Sequence, residues 1–205
     1  MIAVIDYGVG NLFSIACSLG YIGADSVVTA DPAVIRGASR LILPGVGAFG
    51  DAAAKLRAIG LDRVVLDRAA EGTPLLGICL GMQLLYEEGL EYGRHRGLGL
   101  LPGQVVPMTQ ALLGGPLKIP HMGWNQLEQL RPCPLTAAVP QGAAVYYVHS
   151  YYAPVGEDTA AASRYGDLAV SGVVQRGNVY GTQFHPEKSG EAGLGILRAF
   201  AGLGG

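Results

Sequence analysis

Gly77-Ile78-Cys79-Leu80-Gly81-Met82-Gln83 is the stretch on which the fold turns. An apolar run, Pro74-Leu75-Leu76-Gly77-Ile78, leads in and reads as a strand. A second run, Leu80-Gly81-Met82-Gln83-Leu84-Leu85-Tyr86-Glu87-Glu88, leads out and reads as a helix. Cys79 is therefore predicted on a sharp strand-to-helix turn, with glycines two residues before and two after. A backbone cramped in this way needs small neighbours, and it pushes the sulfur into the open. It also sets the sulfur at a helix N-terminus, where unpaired N–H groups favour thiolate. The pattern is that of a nucleophile elbow with cysteine in place of serine.

A cysteine nucleophile needs a base. Far downstream, Tyr180-Gly181-Thr182-Gln183-Phe184-His185-Pro186-Glu187-Lys188-Ser189 closes a β-like run over Asn178 to Phe184. His185 is placed to take the thiol proton and return it to a leaving amine. Glu187, two residues on across a stiffening proline, is placed to hold the imidazole tautomer. Among the other histidines, 95, 121 and 149, His149 is the rival base because it ends a strand.

Working outward, strand-like and helical runs alternate through the first half. Ile2-Asp6 is followed by a helix over Leu12-Leu19; Val27-Ala30 and Leu41-Leu43 precede a helix from about Asp51; Leu61-Ala70 is helical. This alternation predicts a doubly wound, mostly parallel α/β sheet. The second half reads as short strands, Val105-Met108, Lys118-Pro120, Ala144-Tyr151, Ala160-Tyr165, Ala169-Gln175 and Val179-Phe184, and predicts an antiparallel extension. Glu191-Ala201 closes the chain as a helix, while Gly89-Gly97 and Gln110-Gly115 read as loops. No repeat or linker divides residues 1–205, which are expected to form one domain.

The chain is 50% hydrophobic and 15% charged, with a net charge of −2, so a buried core is expected and a nucleic-acid partner is not. No apolar run reaches the ~20 residues of a membrane span, and Met1-Ile2-Ala3-Val4-Ile5-Asp6 reads as a first strand rather than a signal peptide. Three widely spaced cysteines, 17, 79 and 133, argue against a disulfide framework or a paired-cysteine metal site. A reducing cytoplasm is the expected compartment. No metal and no cofactor is expected. One motif competes: Gly45-Val46-Gly47-Ala48-Phe49-Gly50 is a formal GxGxxG after a strand. It does not open the first βα unit, and the acidic partner required about 20 residues on would fall within a helix-like run.

G-x-C-x-G-x-Q followed by a distant F-H-P-E resembles the class I (triad) glutamine amidotransferases. Five further segments narrow the likeness: Asp6-Tyr7-Gly8-Val9-Gly10-Asn11-Leu12, Pro44-Gly45-Val46-Gly47-Ala48-Phe49-Gly50, His121-Met122-Gly123-Trp124-Asn125, Val148-His149-Ser150-Tyr151-Tyr152 and His185-Pro186-Glu187-Lys188-Ser189. Together they resemble the glutaminase subunits of imidazole glycerol phosphate synthases, the histidine-biosynthesis branch of that family. The resemblance covers essentially the whole chain and implies a flavodoxin-like fold.

It also implies roles. Cys79, His185 and Glu187 become the triad. Val46, Gly47 and the amide of Leu80 become an oxyanion hole, with the Gly45-Val46-Gly47 turn able to rearrange. Gln83, Glu91, Ser150 and Tyr151 become the holders of free L-glutamine, Glu91 taking the α-ammonium and the backbone of Ser150 and Tyr151 the α-carboxylate. Asn11, Met122, Trp124, Asn125, Tyr146 and Lys188 fall at the contact with a (β/α)₈ cyclase subunit, giving a heterodimer. Glutamine would be hydrolysed to glutamate and ammonia, with the acceptor site on the cyclase, because no P-loop or other synthase module is present in the sequence. The alternatives are an amidotransferase subunit serving another synthase, such as anthranilate, GMP or pyridoxal-phosphate formation, and a non-catalytic regulatory subunit of the same fold.

Overall fold

The computed structural model describes residues 1–110 and 117–204. In chain order its elements are β1 (Ile2–Ile5), α1 (Leu12–Tyr21), β2 (Ser26–Thr29), α2 (Pro32–Gly37), β3 (Arg40–Leu43), α3 (Phe49–Ala58), α4 (Leu61–Ala70), β4 (Leu75–Ile78) and α5 (Leu80–Leu84). They continue with β5 (Tyr86–Gly89), β6 (His95–Arg96), β7 (Leu101–Pro107), β8 (His121–Gln129), β9 (Ala143–His149), β10 (Tyr151–Tyr152), β11 (Thr159–Tyr165), β12 (Leu168–Arg176), β13 (Val179–Thr182) and α6 (Gly190–Gly202).

One nine-stranded sheet runs in the order β2-β1-β3-β4-β13-β12-β11-β8-β9. β2 through β13 are parallel, and from β12 outward every pairing is antiparallel. The central strands are buried on both faces, which is why β1 and β4 read as unbroken apolar runs rather than alternating ones. Alternate residues serve opposite layers. Ala3, Ile5, Leu41, Leu43 and Leu75 pack with α2, α3 and α4; Ile2, Val4, Ile42, Leu76 and Ile78 pack with Ile15 and Leu19 of α1 and Ile196, Leu197 and Phe200 of α6. The doubly wound sheet with its antiparallel extension is the architecture the alternation predicts.

The decisive pairing is β13 with β4, in parallel register Thr182↔Ile78. Parallel neighbours end together, so Cys79 and the residues leading to His185 emerge at the same carboxyl edge of the sheet. Open α/β sheets carry ligands at that edge.

Several expectations are corrected. The helix after Cys79 stops at Leu84 rather than running to Glu88, because Tyr86–Gly89 is recruited as β5 into a second sheet, β10-β7-β5-β6. The Gly89-Gly97 stretch is no simple loop, since His95–Arg96 folds back on β5. Lys118-Pro120 is not a strand; β8 begins at His121 and runs nine residues. Its polar sequence hid it, and seven residues of pairing with β9 hold it. Ala144-Tyr151 divides at Ser150 between the two sheets. The short α2 was unforeseen, although Asp31 caps it by accepting from Ala33 N at 2.8 Å and Pro32 opens it. The expected Gln110-Gly115 loop lies, apart from Gln110, outside the described residues.

Candidate active site

Cys79 sits at φ 55°, ψ −111°, a backbone conformation that a non-glycine residue adopts only at a cost of ~1–3 kcal/mol. The fold holds it there: Cys79 N donates to Thr182 O at 2.7 Å. The flanking glycines are required by space. A Cβ on Gly77 would lie 2.7 Å from Gly81 O and from Met82 N, and one on Gly81 would collide with the Leu43 carbonyl. α5 is only five residues long, so few aligned peptide dipoles stand behind the sulfur, and its local N–H groups carry what the helix contributes.

His185 follows the end of β13 and is fastened from two sides. Its N–H donates to Tyr146 O at 3.0 Å, and its carbonyl accepts from Ser189 Oγ at 2.6 Å. Its Nδ1 donates to Glu187 Oε1 at 2.8 Å, which leaves Nε2 for the thiol. The Glu187 side chain is fully buried, and its Oε1 also accepts from Asn11 Nδ2 at 3.2 Å. Burial alone would lower the His185 pKa. Hydrogen bonds to Cys79 and Glu187, with the charges on both, overcome that and raise it to about 10. An imidazole held ready to carry a proton is what a cysteine nucleophile requires of its base.

Cys79, His185, Val46, Gly47 and Leu80 line one cavity of ≈ 410 Å³ together with all four predicted substrate residues, Gln83, Glu91, Ser150 and Tyr151. A larger surface groove of ≈ 700 Å³ between Glu87 and Gly99 contains His95 but no nucleophile, so chemistry rather than volume selects the site. The Gly45-Val46-Gly47 turn presses on the start of α5: a Cβ on Gly45 would lie 2.6 Å from Gly81 N and 2.9 Å from Leu80 Cβ, and Gly47 has φ +95°. Beneath it the buried Tyr7 hydroxyl donates to Pro44 O at 2.7 Å. The formal GxGxxG is thus folded against the nucleophile's helix.

Gln83 is buried and spends its amide hydrogens on protein, donating to Tyr151 O at 2.9 Å and Gln183 Oε1 at 3.0 Å. Only its oxygen is left to meet a ligand. Glu91 Oε2 accepts from Phe49 N at 2.7 Å and so supplies the N-terminal cap of α3 that Ala48 cannot. His149 is disqualified as the base. Both its nitrogens are engaged, with Tyr151 O and His121, and burial, opposed only in part by the bond to Tyr151 O, lowers its pKa to about 3. Among the described residues no group of three His, Cys, Asp or Glu side chains could hold a metal ion.

A family model for class-I glutamine amidotransferases matches residues 3–201. The chain belongs to that family. Among relatives of this amidotransferase, the imidazole glycerol phosphate synthase subunit HisH of Geobacillus sp. (strain WCH70) is 49% identical over 205 residues, covering 99% of this chain and 97% of the relative. The subunit of the same name from Syntrophotalea carbinolica (strain DSM 2380 / NBRC 103641 / GraBd1) is 47% identical, covering 99% and 100%. A crystal structure of a glutamine amidotransferase superposes with a TM-score of 0.74 at 23% identity, over 99% of this chain and 100% of that one. PurLQS from Thermotoga maritima gives 0.72 at 21%, over 97% and 96%. At those identities the two structures speak for the fold.

On the amidotransferase surface, four of the six predicted interface residues form a patch beside the triad. Met122 and Trp124 are 61% and 60% exposed on the outer face of β8. The Trp124 ring meets Tyr146 edge-on at 5.9 Å, and Lys188 Nζ lies 6.0 Å from the Tyr146 ring centre. The other two turn inward. Asn125 bonds His121 Nε2 and Arg164 O, and Asn11 bonds Glu187. Two residues of the amidotransferase site had no role in the sequence reading, Tyr7 and Gln183, whose Nε2 donates to Cys79 Sγ at 3.8 Å, and His121, weighed there only as a competing base, bonds His149 instead. The available signal was Gln183 itself, a large polar side chain between Thr182 and Phe184 at the end of a β-like run.

Proposed function

We propose that this chain is the glutaminase subunit of an imidazole glycerol phosphate synthase. What carries the reading is the full-length likeness to subunits of that name, joined to a cysteine, histidine and glutamate gathered in one cavity. Cys79 Sγ, deprotonated by His185, attacks the γ-carbonyl carbon of glutamine. The developing oxyanion accepts from the Leu80 N–H and from the Val46–Gly47 turn. His185 returns the proton to nitrogen, the C–N bond breaks and ammonia leaves, with a γ-glutamyl thioester on Cys79. Water, deprotonated by His185, then attacks the thioester carbon; the C–S bond breaks, the thiol is restored and glutamate departs. Glu187 keeps the His185 tautomer throughout.

Glu91 pairs with the α-ammonium of the substrate, and the Ser150-Tyr151 backbone meets the α-carboxylate. Ammonia passes to a cyclase subunit docked on the Met122, Trp124, Tyr146 and Lys188 patch. Among the described residues no helix is long and apolar enough to cross a membrane. Cys17, Cys79 and Cys133 are free, which suits a reducing cytoplasm. The test is glutamate release by this chain alone, with the cyclase subunit, and with the cyclase carrying its acceptor nucleotide. Release that rises with the partner and rises again with acceptor is expected. No release under any condition points to the regulatory alternative, and stimulation only by another synthase's acceptor subunit overturns the pairing.

A further inference from the structure

We propose that Asn125, His121 and His149 form a one-way hydrogen-bond relay that fixes the Tyr151 carbonyl and thereby positions the glutamine-binding segment of the cavity. The proposal rests on the glutaminase reading only for the identity of the ligand.

The direction of every bond follows from the last. A carbonyl only accepts, so at 2.9 Å from Tyr151 O the His149 Nδ1 must carry the proton. In a neutral ring Nε2 is then an acceptor, so His121 Nδ1, 3.0 Å away, must donate to it. His121 Nε2 in turn must accept, and Asn125 Nδ2 donates at 3.2 Å. The remaining hydrogen of that amide goes to Arg164 O at 2.8 Å, and Asn125 Oδ1 accepts from Gln126 N at 2.8 Å. Neither ring can be reversed without setting two donors or two acceptors against each other in a buried place, and turning the half-exposed Asn125 amide would set its oxygen against Arg164 O and its nitrogen against Gln126 N.

Packing enforces neutrality. His121 and His149 are directly opposite each other across β8 and β9 and are 3% and 5% exposed. His121 is stacked between Tyr147 and Tyr165, with ring centres at 4.6 and 4.2 Å. Burial lowers the His121 pKa to about 4 and is also the main cause of the low value at His149, which the bond to Tyr151 O opposes and the neighbouring His121 and His185 rings reinforce.

The far end of the relay is the pocket. Tyr151 O receives His149 on one lone pair and Gln83 on the other. The neighbouring Ser150 O accepts from Met108 N at 3.0 Å. With both carbonyls tied back, the Ser150-Tyr151 segment is held rigidly in the cavity wall beside Cys79. The near end, Asn125, lies next in sequence to Trp124 on the exposed face of β8. His149 also lines the cavity, but with both ring nitrogens spent on protein it and His121 are positioning residues, acting on substrate through the backbone of Tyr151.

Two measurements test this. In the ¹⁵N-labelled free chain at pH 7, two-bond ¹H–¹⁵N spectra should show both rings neutral with the proton on Nδ1. A proton on Nε2 of either ring, or an imidazolium at that pH, overturns the relay. In the complex with the cyclase, His149→Leu removes the donor to Tyr151, whereas His149→Asn retains an amide donor near the Nδ1 position. Loss of a buried hydrogen bond corresponds to roughly a tenfold effect, and it should fall on the KM for glutamine rather than on kcat. His149→Asn should recover most of it. Asn125→Ala, outside the cavity, should raise KM in the same sense by a smaller factor. A lowered melting temperature with KM unmoved in all three variants means a structural role only and overturns the proposal. If the wild-type complex itself releases no glutamate, the glutaminase reading fails while the spectra still decide the relay.

Discussion

Asn11 and Glu187 stand 176 positions apart, yet the Asn11 amide donates to Glu187 Oε1, the same oxygen that receives the proton-bearing nitrogen of His185. Asn11 occupies the N-cap of α1, where asparagine ordinarily accepts from its own helix; here it makes no capping bond, and its amide serves the triad. The helix forgoes a stabilisation of ~1 kcal/mol in exchange for an oriented carboxylate.

Asn11→Ala should therefore lower kcat for glutamine hydrolysis while leaving KM nearly unchanged. A hydrogen bond to a charged group is worth about 1.5–3 kcal/mol, which sets an upper bound of roughly 10- to 100-fold on the loss. Steady-state glutaminase kinetics in the complex check it; a pure KM effect would place Asn11 outside the triad's support.

Cys79→Ala should abolish glutamine-dependent synthesis by the complex and spare ammonia-dependent synthesis, because the acceptor chemistry belongs to the other subunit. Both rates are read from product formation with glutamine or an ammonium salt as nitrogen source. Surviving glutaminase activity would remove Cys79 from the mechanism.

Val46→Pro deletes one candidate oxyanion donor in a turn that touches Leu80 and Gly81. Losing one such donor costs roughly 10²–10³ in kcat, with glutamine binding changed far less. Calorimetric titration of glutamine into the variant complex, beside its turnover, separates the two quantities. A comparable loss of binding would mean that the turn itself had collapsed.

Trp124→Ala and Lys188→Ala should weaken association with the cyclase without destabilising this chain. Trp124 is 60% exposed, and truncation of an exposed side chain usually changes stability by no more than about 0.5 kcal/mol. An interface tryptophan can cost ~2 kcal/mol or more of binding. Affinity by titration and melting temperature of the isolated chain decide between the roles; a melting point many degrees lower would make Trp124 a core residue.

The pH dependence of stability should carry the signature of His185. Its folded pKa, about 10, lies above the ordinary value of 6.5. The folded state thus holds the proton more tightly, and the resulting stabilisation is complete below pH 6.5 and lost as pH rises through 10. Urea unfolding of wild type and His185→Asn at pH 6, 8 and 10 should show a difference that is largest at pH 6 and shrinks upward. A difference that grows with pH contradicts the imidazolium.

The local pattern by itself determined the elbow. Gly77 and Gly81 around Cys79, between an apolar strand and a helical start, permit few conformations, and the βα alternation permits few folds. The need for a base extended this to His185 and Glu187, and the motifs of the family to the substrate residues, all of which the fold brings to the cavity except Glu187, which is buried behind His185. What only tertiary structure decided is where polar side chains spend their hydrogen bonds. Asn11 and Asn125 sit in motifs that resembled interface sequence, yet both turn inward, one to Glu187 and one to His121. Tyr86–Gly89 carried on a helical pattern, yet it became a strand. The physical reason is common to these cases. Hydrophobic periodicity and turn chemistry act over a few residues and are written locally. A buried polar group, or a short strand, must find a partner to offset its desolvation, and that partner can lie anywhere in the chain until the sheet has formed.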